Sequence, residues 1–446
     1  MKNTNQWSSK LGFILASAGA AIGLGAIWKM PYETGENGGG AFFLVFVLLT
    51  LLIGLPMLLS EYIIGRHTQK EAVSAYKLLT PNNKYWPWIG KLGVIGCFLL
   101  LSFYSVVGGW IFIYSGASVV GQVIQPGADY GAYFNDVIGT PWIALIGLAL
   151  FTLVNVVVIA LGVQNGIEKA NKFMMPLLFI MFIVLVIRAL TLDGAMAGIE
   201  FFLKPDFTQI TTKSFLYALG QSFFALAVGF SCLVTYSSYL KKDVSLPSSA
   251  GSVVFLTLFV SLLAGLAIFP VVFSFGMDPA SGPGLLFMVL PAAFSQMAFG
   301  EVFLALFLLL FLFATLTSSF SLYEIIVAAI VEKYQISRVK ISIILGVVVF
   351  FAAIPALLSY STLSDFTLFG RSIFDATDFL VSNILLPLGN LLIAIFIIHV
   401  MNPKHVQEEL LQGSQLGTRY YQTYRFLMTY IVPLVILIVL LYSIFA

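Results

Sequence analysis

Long apolar stretches separated by short polar segments run along most of the chain. A helix that crosses a membrane needs about 20 mostly apolar residues, and eleven segments meet that length. Their predicted bounds are 11–36, 40–64, 88–124, 142–160, 165–190, 213–240, 246–276, 296–331, 339–357, 373–401 and 425–445. The pattern therefore predicts an all-α polytopic membrane protein with eleven spans, numbered here in chain order.

Two of these spans contain sequence that weakens a helix. The interruptions in span 1 are Gly19, Gly23 and Gly25. The small-residue zone in span 6 is Ala225, Ala227 and Gly229. If spans 1–5 and 6–10 are two repeats, both zones fall in the first helix of a repeat, and paired interruptions indicate a midplane binding site in secondary transporters. Small residues also allow close helix packing, and spacing alone leaves both interpretations open.

A broken helix at membrane depth exposes backbone groups that need partners. Such backbone persists only where it is buried in protein or lines a cavity. Freed amides and the N-termini of half-helices favour a carboxylate, whereas freed carbonyls favour a cation. The two breaks would therefore suit a ligand that carries both charges.

Composition and charge exclude several other classes of protein. Of the 446 residues, 60% are hydrophobic and 9% are charged, whereas soluble proteins carry roughly a quarter charged residues. The net charge of +2 and the lack of a Lys/Arg run give no indication of nucleic-acid binding. The three histidines and two cysteines show no metal-ligand spacing. No catalytic constellation is present at membrane depth, so an enzyme is not expected.

The basic residues indicate how the chain is oriented. Seventeen of the 22 Lys and Arg residues fall in loops or ends on one side of the predicted membrane. Cytoplasmic loops are enriched in Lys and Arg, so residues 1–10 are predicted to be cytoplasmic. An odd number of spans then places the C-terminus outside.

Several long motifs resemble the neurotransmitter:sodium symporter family. They are AAIGLGAIWKMPY, ENGGGAF, GQSFFALAVGF, TYSSYLKKD, AGLAIFP, LTSSFSLYE and FDATDF. The sequence is most similar to the bacterial amino-acid transporters of the leucine-transporter type, some of which have eleven spans. The resemblance implies two inverted five-helix repeats, 11–190 and 213–401, with broken helices 1 and 6, and an additional helix at 425–446. It also implies a bacterial plasma membrane location, alternating access and no obligate protein partner.

The resemblance implies a substrate site between the two breaks. Its residues would be Ala20, Ala21, Gly23, Leu24, Gly25, Leu100, Tyr104, Phe224, Ala227, Phe230, Ser318, Ser319 and Leu322. The amides of Leu24 and Gly25 and the Tyr104 hydroxyl would hold the substrate carboxylate, and freed carbonyls would hold its ammonium group. The apolar lining suits a neutral, hydrophobic amino acid. Taken singly, each aromatic residue is better explained by ordinary helix packing, and only the family resemblance reverses that interpretation.

The resemblance also implies one sodium site. Its ligands would be the carbonyls of Gly19, Ile22 and Ala314 and the hydroxyls of Thr317 and Ser318. Neutral oxygens suit a monovalent hard cation, although the two hydroxyls could instead bond to their own helix. A second family site is predicted not to bind sodium, because side-chain oxygens are replaced at Ala26 and Ala225.

Chloride independence is expected on similar grounds. Phe46 stands where animal members keep a tyrosine hydroxyl, although Gln221 and Ser261 match other chloride ligands. Neither Thr257 nor Ser261 supplies the acid that replaces chloride in bacterial relatives. Two alternatives stay open, namely a non-transporting amino-acid sensor and proton coupling. The protons would be carried by Glu61, Glu324 or Asp378.

Gates are expected at both ends of the bundle. Lys29 would pair with Asp378 outside, although Lys29 could instead extend to the headgroups. At the cytoplasmic end, the family pairs an arginine with an acid. Glu332 matches the acid, but Thr4 occupies the arginine position. Lys2 or Lys10 could supply the positive charge in place of that arginine. The aromatic and phenolic parts of that gate would be Trp7 and Tyr239.

Two further features are assigned to helix opening and support. Gly166 and Pro176 bracket part of span 5 in a Gly-x9-Pro arrangement, which would weaken the helix. The alternative is that the helix simply starts at Gly166 and does not open.

Glu61 is an acid inside the membrane, which makes it a functional candidate. We expect it to accept hydrogen bonds from the unwound backbone of span 1.

Overall fold

The computed structural model describes residues 6–125, 127–280 and 282–445, and every regular element in these ranges is a helix. Within them, nine helices are long and apolar enough to cross a membrane. The helices Lys10–Ala21 and Gly25–Glu36 make a tenth crossing if taken together, with a bend of 52° between them. They form span 1.

The other spans follow the predicted order. Their bounds are Gly40–Thr68 (span 2), Trp88–Val119 (span 3), Pro141–Ala160 (span 4), Val163–Leu190 (span 5), Leu246–Ser274 (span 7), Gly300–Tyr334 (span 8), Arg338–Leu358 (span 9), Ile373–His399 (span 10) and Thr418–Ile444 (span 11). Span 11 starts before the predicted residue 425. Its polar first turns stay helical because Tyr421 and Tyr424 are buried.

Span 6 consists of two short helices, Thr212–Ala225 and Cys232–Ser238. Between them Ala227 and Ser231 have φ values of 52° and 58°, and Gly229 has a φ of 107°. A left-handed conformation at a residue other than glycine costs of order 1–3 kcal/mol. The surrounding structure therefore imposes this break, since Ala and Ser would not adopt it in an isolated chain.

The break in span 1 depends on close backbone approaches to two other spans. A Cβ atom at Gly23 would lie 2.5 Å from Cβ of Ser318 in span 8. A Cβ atom at Gly25 would lie 2.7 Å from the ring of Phe224 in span 6. Only glycine allows both approaches, so these residues bring the span 1 break against spans 6 and 8.

Burial distinguishes central spans from peripheral ones. In the most apolar part of span 3, 78% of the residues are buried, against 28% in span 11. Cys97 of span 3 and Cys232 of span 6 are both buried, with their sulfur atoms 3.2 Å apart as free thiols. Shorter helices that the sequence reading did not predict lie between the spans. They are Ala72–Leu79, Tyr130–Gly139, Ala195–Leu203, Val289–Ser295 and Pro403–Leu411.

Candidate functional site

Hydrogen bonds connect the span 1 break to spans 3 and 8. The amide of Leu24 donates to the Tyr104 hydroxyl at 3.4 Å, and that hydroxyl donates to the Thr315 carbonyl at 3.2 Å. The Ser318 hydroxyl donates to the Ala20 carbonyl at 2.9 Å. A phenol, a helix-end amide and a serine hydroxyl thus lie together at a buried break in the backbone.

The apolar residues predicted for the substrate site are buried to different degrees. Leu100, Phe230 and Leu322 are buried, whereas Phe224 and Ala227 keep part of their surface exposed. The buried Ala21 lies at the end of the first half of span 1. No acidic or basic side chain is among these residues, so the lining is apolar.

Ser319 differs from its prediction. Its hydroxyl donates to Oδ1 of Asn155 in span 4 at 2.5 Å and to the Leu316 carbonyl at 2.8 Å. The side chain is therefore directed to span 4, while Ser318 is directed to span 1. Two adjacent serines on one helix point to different neighbours, so only Ser318 presents its hydroxyl to the break.

The residues predicted to bind sodium come from spans 1 and 8. A Cβ atom at Gly19 would lie 3.1 Å from Cβ of Thr317, which shows how closely the two helices approach. The Thr317 hydroxyl donates to the Ala314 carbonyl at 3.0 Å, which is the bond within one helix left open from the sequence. Ile22 is fully buried. The group offers neutral carbonyl and hydroxyl oxygens, which suit a monovalent cation.

The positions linked to a second cation and to chloride are also buried. Ala26 and Ala225 are fully buried and carry no side-chain oxygen. Gln221 donates to the Gly25 carbonyl at 2.5 Å. Phe46 is fully buried as well. Separately, the buried hydroxyls of Thr257 and Ser261 have no hydrogen-bond partner in the described ranges.

An ion pair lies at one end of the site, beside a large cavity. Nζ of Lys29 is 2.8 Å from Oδ1 of Asp378 and 3.3 Å from the Ser382 hydroxyl, and it lies over the Phe224 ring at 4.7 Å. The cavity next to the pair has a volume of about 680 Å³, and its lining includes Asp375. Both residues of the pair line this cavity, together with Phe224 of the predicted substrate site.

Removing the charge of Asp378 tests this pair as a gate. Asp378→Asn is expected to speed substrate dissociation about fivefold, because a partly exposed ion pair contributes roughly 1 kcal/mol. Dissociation of a bound radiolabelled substrate measures the change. Asp375→Asn is the matched control, since this acid of the same cavity bonds to Ser372 and not to Lys29. Equal effects in the two variants would contradict the gate.

At the opposite end, Trp7 closes the bundle by contacting span 6. Its indole nitrogen donates to the Tyr236 carbonyl at 2.8 Å, and its amide donates to the Tyr239 carbonyl at 3.2 Å. The Tyr239 hydroxyl donates to Glu324 at 2.8 Å, and the Arg338 guanidinium forms an ion pair with the same carboxylate. This end is therefore held by a buried acid bound to two partners.

The acid predicted for this gate has a different partner from those considered. Glu332 forms an ion pair with Lys70 at 2.7 Å, and Lys10 donates to the Ser248 hydroxyl instead. Of the two basic residues left open from the sequence, Lys10 therefore does not pair with Glu332 in this structure. Lys2 and Thr4 lie outside the described residues.

Glu61 supports a different break from the one expected. Its carboxylate accepts hydrogen bonds from the amides of Gly229 at 2.7 Å and Leu233 at 3.1 Å. Both amides belong to span 6, so the predicted partner, the span 1 backbone, is wrong. The fully buried carboxylate caps the unwound stretch of span 6 by satisfying amides that its half-helices leave free.

The first turn of span 5 is tied to the N-terminal segment. Gly166 lies in the π-helical turn Val163–Glu168, and the helix continues through Pro176. Glu168 accepts hydrogen bonds from the amide and the hydroxyl of Ser8, and it pairs with Lys172 at 2.7 Å. In this structure the Gly-x9-Pro segment is helical, and its start is fastened to the chain that precedes span 1.

The sequence reading missed several of these contacts. Arg338 and Ser8 contact acids on other helices, and neither contact follows from a helical repeat within one segment. An acid inside a predicted span was the one available signal. It identified Glu324 and Glu61 as candidates without identifying their partners.

The fold and this site define a membrane transporter. Two broken helices meet at a buried site, and separate contacts close the bundle at each end, as in secondary transporters. The model of the sodium:neurotransmitter symporter family matches residues 4–125 and 136–446, and the chain belongs to that family. The relatives are transporters, so this multi-pass membrane protein is a transporter and not an enzyme.

Individual relatives match over nearly the whole chain. A sodium-dependent transporter of Bacillus subtilis (strain 168), YhdH, is 51% identical over 437 residues, which cover 98% of this chain and 97% of the relative. A sodium-dependent transporter of Haemophilus influenzae is 38% identical over 455 residues, covering 100% of this chain and 99% of the relative. The crystal structure of MhsT in complex with L-phenylalanine gives a TM-score of 0.92 at 40% identity, covering 98% of this chain and 99% of that one. The leucine-transporter type of fold predicted from the sequence is confirmed.

Proposed function

We propose that this protein is a secondary active transporter that imports a neutral, hydrophobic L-amino acid together with one sodium ion. The observation that carries the proposal is the contact of the span 1 break with Tyr104 and Ser318, described above. It would present a helix-end amide and a phenol to a carboxylate within an apolar site. The cation would bind at Gly19 and Thr317, where the first half of span 1 approaches span 8.

The choice of a hydrophobic substrate rests on the lining of the site. Leu100, Phe230 and Leu322 are buried beside the break, and no charged side chain is among the lining residues. A substrate with a charged side chain would lack a partner there, and an unpaired buried charge is unfavourable. The relative MhsT was crystallised with L-phenylalanine, a substance of this class.

The proposal of one sodium ion rests on what the second site lacks. Ala26 and Ala225 offer methyl groups where a dehydrated cation would need oxygen ligands. The names of the Bacillus and Haemophilus relatives describe sodium-dependent transporters, which supports sodium as the coupling ion. Chloride independence is proposed because Phe46 carries no hydroxyl.

The transport cycle would alternate between the two closures. Lys29 and Asp378 would open towards the outside, and the contacts of Trp7 would open towards the cytoplasm. In this orientation residues 1–10 are cytoplasmic, the C-terminus is extracellular, and the protein lies in a bacterial plasma membrane. The two inverted repeats, 11–190 and 213–401, would move relative to each other around the site.

A ligand screen tests substrate and ion together. Purified protein is heated with each of the twenty amino acids, with and without sodium, and the shift of the melting temperature is measured. Neutral hydrophobic amino acids are expected to stabilise the protein only when sodium is present, following the linkage of binding to stability. Replacing chloride by gluconate should leave the shift unchanged. Equal shifts in sodium and in choline would contradict sodium coupling.

Transport assays separate the two alternatives. In proteoliposomes, an inward sodium gradient is expected to drive uptake of the amino acid identified by the screen. Uptake that follows a pH gradient without sodium would favour proton coupling through Glu61, Glu324 or Asp378. Binding with neither uptake nor counterflow would favour a sensor.

A further inference from the structure

Asn171 is a buried polar residue of span 5 that lacks one of its hydrogen-bond partners. Its side chain is fully buried, and its amide nitrogen donates to the Ile167 carbonyl at 2.9 Å. Its amide oxygen, Oδ1, has no hydrogen-bond partner in the described part of the chain. A buried acceptor without a partner is destabilising, so this oxygen calls for a ligand.

The orientation of the amide group is fixed by its neighbour. The Ile167 carbonyl can only accept a hydrogen bond, so the amide nitrogen must face it and the oxygen must face away. On that other side lies Gly19, where a Cβ atom would overlap Oδ1 of Asn171 and would lie 3.1 Å from Cβ of Thr317. The free oxygen is therefore directed between span 1 and span 8.

The side-chain donor that span 8 places at this point is already engaged. The Thr317 hydroxyl donates to the Ala314 carbonyl, and the next lysine, Lys172, bonds to Glu168 and the Ser8 hydroxyl. The proposed cation site next to this point consists of the carbonyls of Gly19, Ile22 and Ala314 and the hydroxyls of Thr317 and Ser318. Neutral oxygens suit a hard monovalent cation, and an amide oxygen is a suitable ligand for one.

We propose that Oδ1 of Asn171 is an additional ligand of the sodium ion, supplied by span 5. The inference rests on the proposed function, because it assumes that sodium binds at Gly19 and Thr317. The ion then joins three helices instead of two. Since Asn171 lies between Gly166 and Pro176, bound sodium holds this weak part of span 5 against spans 1 and 8.

Sodium titration of purified variants without substrate tests this role. Melting temperature is measured against sodium concentration at constant ionic strength, and binding of radioactive sodium is measured in parallel. Asn171→Ala is expected to raise the half-saturating sodium concentration at least tenfold. In sodium-free buffer its melting temperature should be equal to or above that of the original protein, because a buried oxygen without a partner has been removed. Asn171→Asp keeps an oxygen at the same point and should bind sodium at least as tightly as the original protein.

Asn390→Ala is the matched control. Asn390 is also fully buried, its amide nitrogen donates to the Leu386 carbonyl at 3.0 Å, and its oxygen likewise has no partner in the described ranges. It belongs to span 10 and contacts the Val228 carbonyl of span 6. Its replacement should leave the half-saturating sodium concentration unchanged.

Thr317→Val distinguishes failure of this inference from failure of the proposed function. If the original protein does not respond to sodium, the proposed function is wrong. If Thr317→Val abolishes the response while Asn171→Ala binds sodium like the original protein, the role of Asn171 is wrong and the function stands. A lower melting temperature of Asn171→Ala in sodium-free buffer, with unchanged sodium affinity, would likewise assign Asn171 to packing alone.

Should Asn171→Ala fail to fold, Asn171→Ser provides the same test. A serine hydroxyl in a helix bonds back to its own backbone, so it would not replace the amide oxygen as a sodium ligand.

Discussion

Glu61→Leu is expected to destabilise the protein by about 2–6 kcal/mol, because each of two buried amides left without a partner costs roughly 1–3 kcal/mol. The amides are those of Gly229 and Leu233, to which the Glu61 carboxylate bonds at 2.7 and 3.1 Å. Thermal unfolding in detergent, followed by tryptophan fluorescence, measures the loss as a melting temperature lower by several degrees. Glu61→Gln should show a smaller loss, because its amide oxygen can still accept from one of the two amides.

A second acid provides the comparison for this result. Glu332 is paired with Lys70, and both side chains are partly exposed, at 31% and 48%. Such a pair contributes about 0–1 kcal/mol, so Glu332→Gln should leave the melting temperature nearly unchanged. If Glu61→Leu were no more harmful than Glu332→Gln, Glu61 would not be supporting the break in span 6.

Tyr104→Phe is expected to weaken substrate binding about tenfold to hundredfold. The Tyr104 hydroxyl lies at the span 1 break and accepts from the Leu24 amide. A hydrogen bond to a charged group such as a carboxylate contributes roughly 1.5–3 kcal/mol, and the phenylalanine variant loses it without leaving a large cavity. Equilibrium binding of the radiolabelled substrate at saturating sodium measures the affinity.

Tyr114→Phe is the matched control on the same helix. Tyr114 is fully buried, and its hydroxyl has no hydrogen-bond partner within the described ranges. Losing that hydroxyl should leave substrate affinity unchanged. Similar losses of affinity in both variants would indicate a general effect on span 3 and would remove the support for a carboxylate contact at Tyr104.

Sequence alone was sufficient to predict the spans, and the family resemblance was needed to choose breaks over close helix packing in spans 1 and 6. Apolar length determines a membrane helix almost alone, and glycines such as Gly23 and Gly25 indicate where a backbone must approach a neighbour closely. Lys29 and Asp378 could be proposed as partners only through the family resemblance, because 349 residues separate them along the chain. The structure brings these two side chains together.

The partners of buried acids could not be predicted in the same way. An acid inside a span needs a partner, and composition indicates that need without indicating the partner. Glu61 could have capped either break, and its position opposite Gly229 depends on how span 2 packs against span 6. Ser319 illustrates the same limit, since a rotation of one residue along span 8 decides whether a hydroxyl faces the site or Asn155 of span 4.

The two cysteines have a practical consequence for following the motion of this transporter. Cys97 and Cys232 are the two cysteines of the chain, and both are buried. A polar maleimide added from water should therefore leave the unmodified protein unlabelled. A single cysteine introduced in the cavity, at Asp375 for example, could then carry a fluorophore or a spin label in the native background. With a second cysteine introduced elsewhere on the surface, the distance between the two labels would report opening and closing without prior removal of native thiols.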